Sequence, residues 1–157
     1  MTDFVYTTYI KSTPEKVWAA LTTPEFTRQY WGNELRSDWK KGSKWKSIRN
    51  DDGGVNILGE VLESNPPKRL VISWAEASGD KDDISNVAFD IEAVGDTVRL
   101  NVTHNGFKPG STMPGRISKG WPLVLSNMKS FLETGTCFDI MNLKQCGNAG
   151  AKKDAAA

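Results

Sequence analysis

His104 is the only histidine of this sequence and the side chain best suited to acid–base chemistry near neutral pH. It ends an alternating run, residues 97–104, in register with Val98, Leu100 and Val102, which indicates an inward-facing side chain. An imidazole placed there could act as a general base. The alternative is a structural histidine at a strand end, partly exposed and bonded to the backbone. No spacing in the sequence indicates the converging serine and aspartate that a catalytic triad needs, so His104 is a weak catalytic candidate.

Six tryptophans are the strongest candidates for ligand contact. Trp74 and Trp121 are predicted to face each other from a strand and a helix, and Trp31 and Trp39 to border a cavity mouth. They could form the wall of an apolar or aromatic site or simply fill the core, whereas Trp18 and Trp45 are interpreted as structural. The candidate ligand-binding residues, all predicted to face one interior space, are Trp31, Trp39, Trp74, Phe89, Leu100, His104, Trp121, Leu125 and Met128.

The acidic residues and the cysteines do not form a recognisable metal or cofactor motif. Asp80, Asp82 and Asp83 lack the glycine and distal glutamate of a calcium-binding loop, which favours a solvated loop. Cys137 and Cys146 fit no redox or zinc spacing and are expected to be reduced thiols. Glycine-rich phosphate loops are also missing from the sequence. We therefore predict no metal and no cofactor.

Composition narrows the classes of partner. The net charge is +1, whereas a nucleic-acid-binding domain usually carries a basic excess. No apolar run approaches the roughly 20 residues of a membrane span, and the first residues do not resemble a signal peptide. We therefore expect a cytoplasmic protein that binds neither nucleic acid nor membrane. A length of 157 residues favours one domain with a substantial core.

The candidate residues need a long helix and a sheet to position them. Residues 112–135 place Ile117, Trp121, Val124 and Met128 on one face, and Gly135 is a natural helix end. Pro122 allows either a helix that begins near Trp121 or a longer one that begins near residue 112 and bends; we favour the longer one. Two short helices are predicted, each opened by a Thr-Pro-Glu sequence at residues 13–15 and 23–25.

Strands are predicted at residues 4–11, 45–49, 55–64, 70–74, 87–93 and 97–104, separated by turn sequences such as Asp51-Asp52-Gly53-Gly54. The order predicts an α+β fold, with a curved antiparallel sheet of six to seven strands around a long C-terminal helix. Since one helix cannot fill the concave face of such a sheet, we expect a cavity between them.

Four segments, in this order, resemble the family of heat-shock protein 90 ATPase activator homologues: residues 9–22, 37–43, 59–70 and 120–135, with Gly120-Trp121-Pro122 in the last. The resemblance covers about residues 4–135 and implies the START-like, or SRPBCC, helix-grip fold. It implies one domain over residues 1–135, followed by a partly disordered tail at 136–157. The eukaryotic activators carry a separate N-terminal domain that makes much of the chaperone contact and that these 157 residues do not resemble.

Three functions follow from the resemblance and the residues together. The first is non-catalytic binding of a small apolar or aromatic molecule between the sheet and the helix. The second is a chaperone-associated interaction module. The third is a cyclase or hydrolase that uses the same cavity, with His104 or a carboxylate as its acid–base group.

Overall fold

The computed structural model describes residues 3–140. The elements are β1 (Phe4–Ile10), α1 (Pro14–Thr22), α2 (Pro24–Tyr30), β2 (Asn33–Arg36), β3 (Lys44–Arg49), β4 (Val55–Asn65), β5 (Arg69–Glu76), β6 (Ser85–Val94), β7 (Thr97–Asn105) and α3 (Met113–Thr134). The strands form one antiparallel sheet in the order β1-β7-β6-β5-β4-β3-β2. The two short helices connect the edge strands β1 and β2, and the sheet curls around α3. The predicted α+β helix-grip fold is confirmed.

Helix α3 is the longer of the two alternatives, because it begins at Met113 and contains Pro122. Gly135 ends it with a φ of 79°, a left-handed conformation that glycine adopts without a Cβ clash. The buried stripe consists of Met113, Ile117, Trp121, Val124, Leu125, Asn127 and Met128. Burial of this stripe, rather than helix propensity alone, fixes the helix in place.

One of the seven strands, β2, lies in a segment for which the sequence predicted no strand. Its four residues, Asn33–Arg36, pair with β3 at the sheet edge. Alternation is weak there because only Leu35 is a large apolar residue. The strand forms because β3 supplies its hydrogen bonds, and α2 packs directly beside it.

Trp18, which is interpreted from the sequence as a structural residue, packs only against the edge of the core. The buried residues of its helix, α1, are Val17, Ala20 and Leu21, and Trp18 is only partly buried. One helical step of about 100° separates Trp18 from Val17 and turns its ring toward the edge of the core. Of the two Thr-Pro-Glu sequences, the first caps its helix as expected, because the Thr13 hydroxyl accepts the Lys16 N–H at 3.3 Å. The expected cap at the second is wrong, because the Thr23 side chain makes no such hydrogen bond to α2.

After α3 the chain folds back onto the core as far as it is described. The Asn127 side chain accepts the N–H of Phe138 at 2.9 Å and donates to its carbonyl at 3.2 Å, and Ile140 is buried. Cys146 and residues 147–157, for which the sequence predicts a small polar tail, lie outside the described residues. Within residues 3–140, no helix is both long and apolar enough to span a bilayer.

Candidate functional site

A cavity of about 270 Å³ lies between α3 and the half of the sheet formed by β2 to β5. Its walls are mainly apolar, with polar groups at the sheet end and a pair of charges at the rim. The lining residues are Trp31, Asn33, Ser47, Asn56, Ile57, Trp74, Glu76, Arg116, Ile117, Gly120, Trp121 and Val124. This balance of apolar surface and a few placed polar groups is typical of small-molecule sites.

Three tryptophans converge on the cavity from three different elements. Trp121 extends from α3 and packs edge-on against Trp31, which follows α2, at a ring-centroid distance of 5.4 Å. Trp74, from β5, also lies 5.4 Å from Trp121. Because Trp121 contacts both other rings, a molecule in the cavity would lie against surfaces held by mutual packing.

The row of tryptophans continues away from the cavity. Trp45 lies 5.6 Å from Trp74, and Trp39 lies 6.3 Å from Trp45. Trp45 packs closely on the sheet because position 59 is glycine, where a Cβ would come within 2.7 Å of the Trp45 indole nitrogen. Five of the six tryptophans thus form one contact series, and Trp18 is not a member of it.

His104 lies in a buried hydrogen-bond chain behind the aromatic wall. The indole Nε1–H of Trp121 donates to His104 Nδ1 at 3.1 Å, so that nitrogen is unprotonated. The proton of a neutral imidazole is therefore on Nε2, which donates to Ser85 Oγ at 2.7 Å. The Ser85 hydroxyl in turn has two acceptors within reach of its one proton, the Trp74 carbonyl at 3.3 Å and the Met113 sulfur at 3.1 Å. The chain ties α3 to β7, β6 and β5, the elements that carry two of the three cavity tryptophans.

The direction of this chain is opposite to that of a catalytic dyad. In a Ser–His pair the imidazole nitrogen beside the hydroxyl must accept its proton, but here that nitrogen is the donor. Burial lowers the pKa of His104 to about 4, which keeps the ring neutral. Both ring nitrogens are occupied and His104 does not line the cavity. The geometry makes His104 a structural connector, although a buried one rather than the partly exposed, backbone-bonded residue considered from the sequence.

Two of the polar lining residues each carry a buried side-chain atom without a protein partner. Ser47 is 2% exposed, and neither its Oγ nor Asn56 Oδ1 has a hydrogen-bond partner within the described part of the chain. Ser47 shares the inner face of β3 with Trp45. Asn56 is the extra residue of a β-bulge, because Ser47 pairs with Ile57 while Ile48 pairs with Val55. A bulge of this kind redirects the extra side chain.

The rim of the cavity is formed by an ion pair between α3 and β5. Arg116 makes two contacts with the Glu76 carboxylate, at 2.7 Å and 2.9 Å, and also donates to the Thr112 hydroxyl at 3.0 Å. The two charges neutralise each other in a bidentate geometry. The rim therefore offers no uncompensated charge from this pair to a bound molecule.

Of the nine candidate ligand-binding residues, Trp31, Trp74 and Trp121 line the cavity. Trp39 lies instead at a separate surface groove with Trp18, Lys40 and Lys41. The other five are buried in the core outside the cavity lining: Phe89, Leu100, His104, Leu125 and Met128. A role of any of these residues in ligand contact stays a prediction.

The sequence analysis did not identify the polar and charged residues of the cavity lining: Asn33, Ser47, Asn56, Glu76 and Arg116. Ser47 could have been found, because it alternates with Trp45 and therefore faces the same side of the strand. Glu76 likewise follows Trp74 by two residues. Asn56 could not have been found in this way, because its position depends on a β-bulge that no sequence pattern predicts.

The remaining candidates are held by ordinary surface contacts. The Asp80 carboxylate pairs with Lys108 at 2.5 Å and accepts the Asp82 N–H, which lowers the pKa of Asp80, and Asp83 accepts a hydrogen bond from Ser111 at 2.5 Å. Within residues 3–140 no cluster of three His, Cys, Asp or Glu side chains could hold a metal ion. Cys137 is a free, partly buried thiol.

Comparison with known proteins gives one family and many solved structures. The model of the family described as Activator of Hsp90 ATPase homolog 1-like protein matches residues 11–133. A structure from Mesorhizobium loti is 28% identical, with 83% of this chain and 96% of that one covered and a TM-score of 0.73. A structure described as an HSP90 activator from Plasmodium falciparum is 26% identical, with 84% and 96% covered and a TM-score of 0.71. No curated protein matches the sequence.

Proposed function

We propose that the chain, which belongs to the family of activator of Hsp90 ATPase homolog 1-like proteins, binds a small apolar or aromatic molecule without converting it. The site of binding is the cavity between its sheet and its long helix. The observation that carries the proposal is the convergence of Trp31, Trp74 and Trp121 on that cavity. Three aromatic rings from three elements make a preorganised apolar wall.

The size of the cavity limits the ligand. Drug-sized sites usually enclose about 300–1,000 Å³, whereas this one encloses about 270 Å³. A molecule of one or two rings would fit without displacing the helix. Apolar contact then supplies the affinity, while the few polar groups at the sheet end and rim orient the molecule.

Non-catalytic binding is favoured over catalysis by the state of the acid–base groups. His104 is neutral and fully engaged, and the Glu76 carboxylate at the rim is paired with Arg116. Neither group is placed to exchange a proton with a molecule in the cavity, because each already has its partner.

A neutral two-ring probe, 1-naphthylamine, tests the proposal by tryptophan fluorescence. We expect saturable quenching with an affinity near the micromolar range, about −8 kcal/mol. Trp74→Phe and Trp121→Phe should each weaken the quenching, because each removes part of the wall and keeps enough apolar volume for the fold. Trp18→Phe is the matched control, since Trp18 belongs neither to the cavity nor to the tryptophan series.

The dissociation constant, rather than the quenching amplitude alone, should be compared among these variants. Tryptophans in contact exchange excitation energy, so loss of one ring changes the amplitude even when binding is intact. If wild-type protein shows no saturable quenching at high micromolar probe, side chains fill the cavity and the proposal is wrong. Equal dissociation constants for all three variants would place the probe elsewhere.

A chaperone-associated role is the second candidate, favoured by the relative described as an HSP90 activator. We expect the 157-residue chain alone to stimulate the ATPase of purified Hsp90 weakly or not at all. The reason is that the activators it resembles use a separate N-terminal domain for much of the chaperone contact. A coupled ATPase assay with the chain and Hsp90 at equal concentrations measures the stimulation. Strong stimulation would favour the chaperone-associated role over ligand binding.

A further inference from the structure

We infer that the ligand of the cavity contains two fused rings, and that one of these rings lies against the backbone of α3 at Gly120, where the helix has no side chain. The inference rests on the proposed function and makes Gly120 the residue that sets the size of the ligand. It is carried by the position of this glycine on α3 and by the free space beside it.

Gly120 lies within the face of α3 that lines the cavity. The lining residues of this helix are Arg116, Ile117, Gly120, Trp121 and Val124. At about 100° per residue they span an arc of about 140°, from Arg116 to Trp121, and Gly120 falls inside that arc. Arg116 and Val124 are its neighbours four residues before and after, each rotated from it by only about 40°. A side chain at position 120 would therefore project into the cavity between those of Arg116 and Val124.

No described side chain occupies the space beside Gly120. Apart from its chain neighbours and the backbone of its own helix, a Cβ built on this residue would meet no heavy atom within 4 Å. Gly120 is also only partly buried and lines the cavity. The free space beside it is therefore part of the cavity and not a sealed void in the core.

Two common structural reasons for a glycine do not apply at position 120. Its φ is not in the left-handed region, unlike that of Gly135. No backbone group packs closely on it, unlike Gly59, where a Cβ would lie 2.0 Å from the Ser73 carbonyl oxygen. Glycine inside a helix is less stable than alanine, because it loses more backbone freedom on folding. An unfavourable residue in the middle of a cavity wall indicates that the space itself is used.

The volume of the cavity suits two fused rings. An apolar cavity of about 150 Å³ is enough to bind one benzene ring, whereas this cavity encloses about 270 Å³. Trp31, Trp74 and Trp121 form the wall for one ring. The second ring then lies at Gly120 beside Val124, where the missing side chain lets a flat ring approach the helix backbone closely.

The test compares two neutral amines that differ by one fused ring, aniline and 1-naphthylamine. Dissociation constants for the full chain are measured at pH 7, by calorimetry for 1-naphthylamine and by an NMR titration for the weaker aniline. We expect wild-type protein to bind 1-naphthylamine at least about tenfold more tightly than aniline, because the second ring buries additional apolar surface.

Gly120→Leu should weaken the binding of 1-naphthylamine by at least about tenfold, because the leucine side chain takes the space of the second ring. The same variant should bind aniline within about threefold of wild type. Gly120→Ala, with its smaller side chain, should weaken 1-naphthylamine by about two- to fivefold.

Gly115→Leu and Gly115→Ala are the matched controls on the same helix. Gly115 also has no heavy atom within 4 Å of a built Cβ, but it is exposed and does not line the cavity. These variants should bind both amines as wild type does.

The melting temperature separates lost space from a damaged fold. Gly120→Ala should melt about 2–4 °C above wild type, because alanine is the better helix former and its Cβ meets no clash. A more stable variant that binds the two-ring ligand less tightly cannot owe that loss to unfolding. If Gly120→Ala melts below wild type, the helix needs a glycine near Pro122, and the inference is wrong.

The binding outcomes distinguish the inference from the proposed function. If wild-type protein binds neither amine, both fail together. If wild type binds aniline as tightly as 1-naphthylamine, or if Gly120→Leu binds 1-naphthylamine as wild type does, the inference fails while the proposed function stands. Equal weakening of both amines by Gly120→Leu, or equal losses in the Gly115 variants, would also overturn it. Should Gly120→Leu fail to fold, Gly120→Ala decides by the same comparison.

Discussion

Replacing Met128 by alanine is expected to lower the free energy of unfolding by about 2–5 kcal/mol. Met128 is the last residue of the buried stripe of α3 and is 0% exposed. The truncation removes apolar contacts and leaves a cavity that the surrounding sheet cannot collapse to fill, since the strands are fixed by their hydrogen bonds. Urea unfolding followed by circular dichroism measures the change.

Leu58→Ala is the matched control for that experiment. Leu58 is also a large apolar side chain, but it lies on β4 and is 43% exposed, so its truncation creates no enclosed cavity. We expect a change of within about 0.5–1 kcal/mol for the control. If Met128→Ala unfolds at the same urea concentration as wild type, the face of α3 assigned to the core is wrong.

The long helix and the two-faced strands could be predicted from the sequence because each carries a local signal. In α3, Ile117, Trp121, Val124 and Met128 recur at helical spacing, and Gly135 marks the end. In β7, Val98, Leu100 and Val102 alternate with polar residues, and all three are buried as expected. Both signals report the burial of one face, which is a property of the segment itself.

Features set by contacts between distant segments were not predictable in this way. The edge strand β2 exists because β3 pairs with it, and Asn56 lines the cavity because of a bulge against β3. The hydrogen-bond chain from Trp121 through His104 to Ser85 joins residues on three elements. The sequence predicts that Trp74, Trp121 and His104 face inward. It does not predict that the two tryptophans line a cavity while His104 links the elements behind them.

This hydrogen-bond chain makes the stability of the protein depend on pH. The pKa of His104 is lowered from its ordinary value of 6.5 to about 4 by burial. As pH falls below about 6.5, the unfolded chain binds a proton at this residue while the folded protein does not, so protonation favours unfolding. The free energy of unfolding should therefore fall by about 2 kcal/mol between about pH 6.5 and pH 5, and by about 3 kcal/mol in all by about pH 4.

His104 should dominate that range because the other groups with shifted pKa values act outside it. The pKa values of Tyr30, Cys137 and several cationic side chains are raised, so these groups act at higher pH, and the carboxylates act at lower pH. The pKa values of Glu34, Asp52 and Asp80 are lowered by ion pairs and hydrogen bonds, so their stabilising effects are lost only as pH falls below the ordinary carboxylate range near about 4. The side chains packed on His104, such as Trp74, Phe107 and Trp121, carry no charge. Desolvation alone therefore accounts for the direction of its shift.

His104→Gln provides the control, because it removes the only histidine of the chain. The variant will be less stable at every pH, since glutamine cannot reproduce both ring hydrogen bonds, but the slope and not the absolute stability is the measurement. Urea unfolding of both proteins at several values between about pH 5 and pH 7 gives that slope. We expect a steep dependence for wild type and a nearly flat one for the variant, because no group that titrates in this range would remain buried and neutral. Parallel pH profiles would show that His104 titrates normally, and that the hydrogen bonds from Trp121 and to Ser85 do not hold a neutral imidazole in the core.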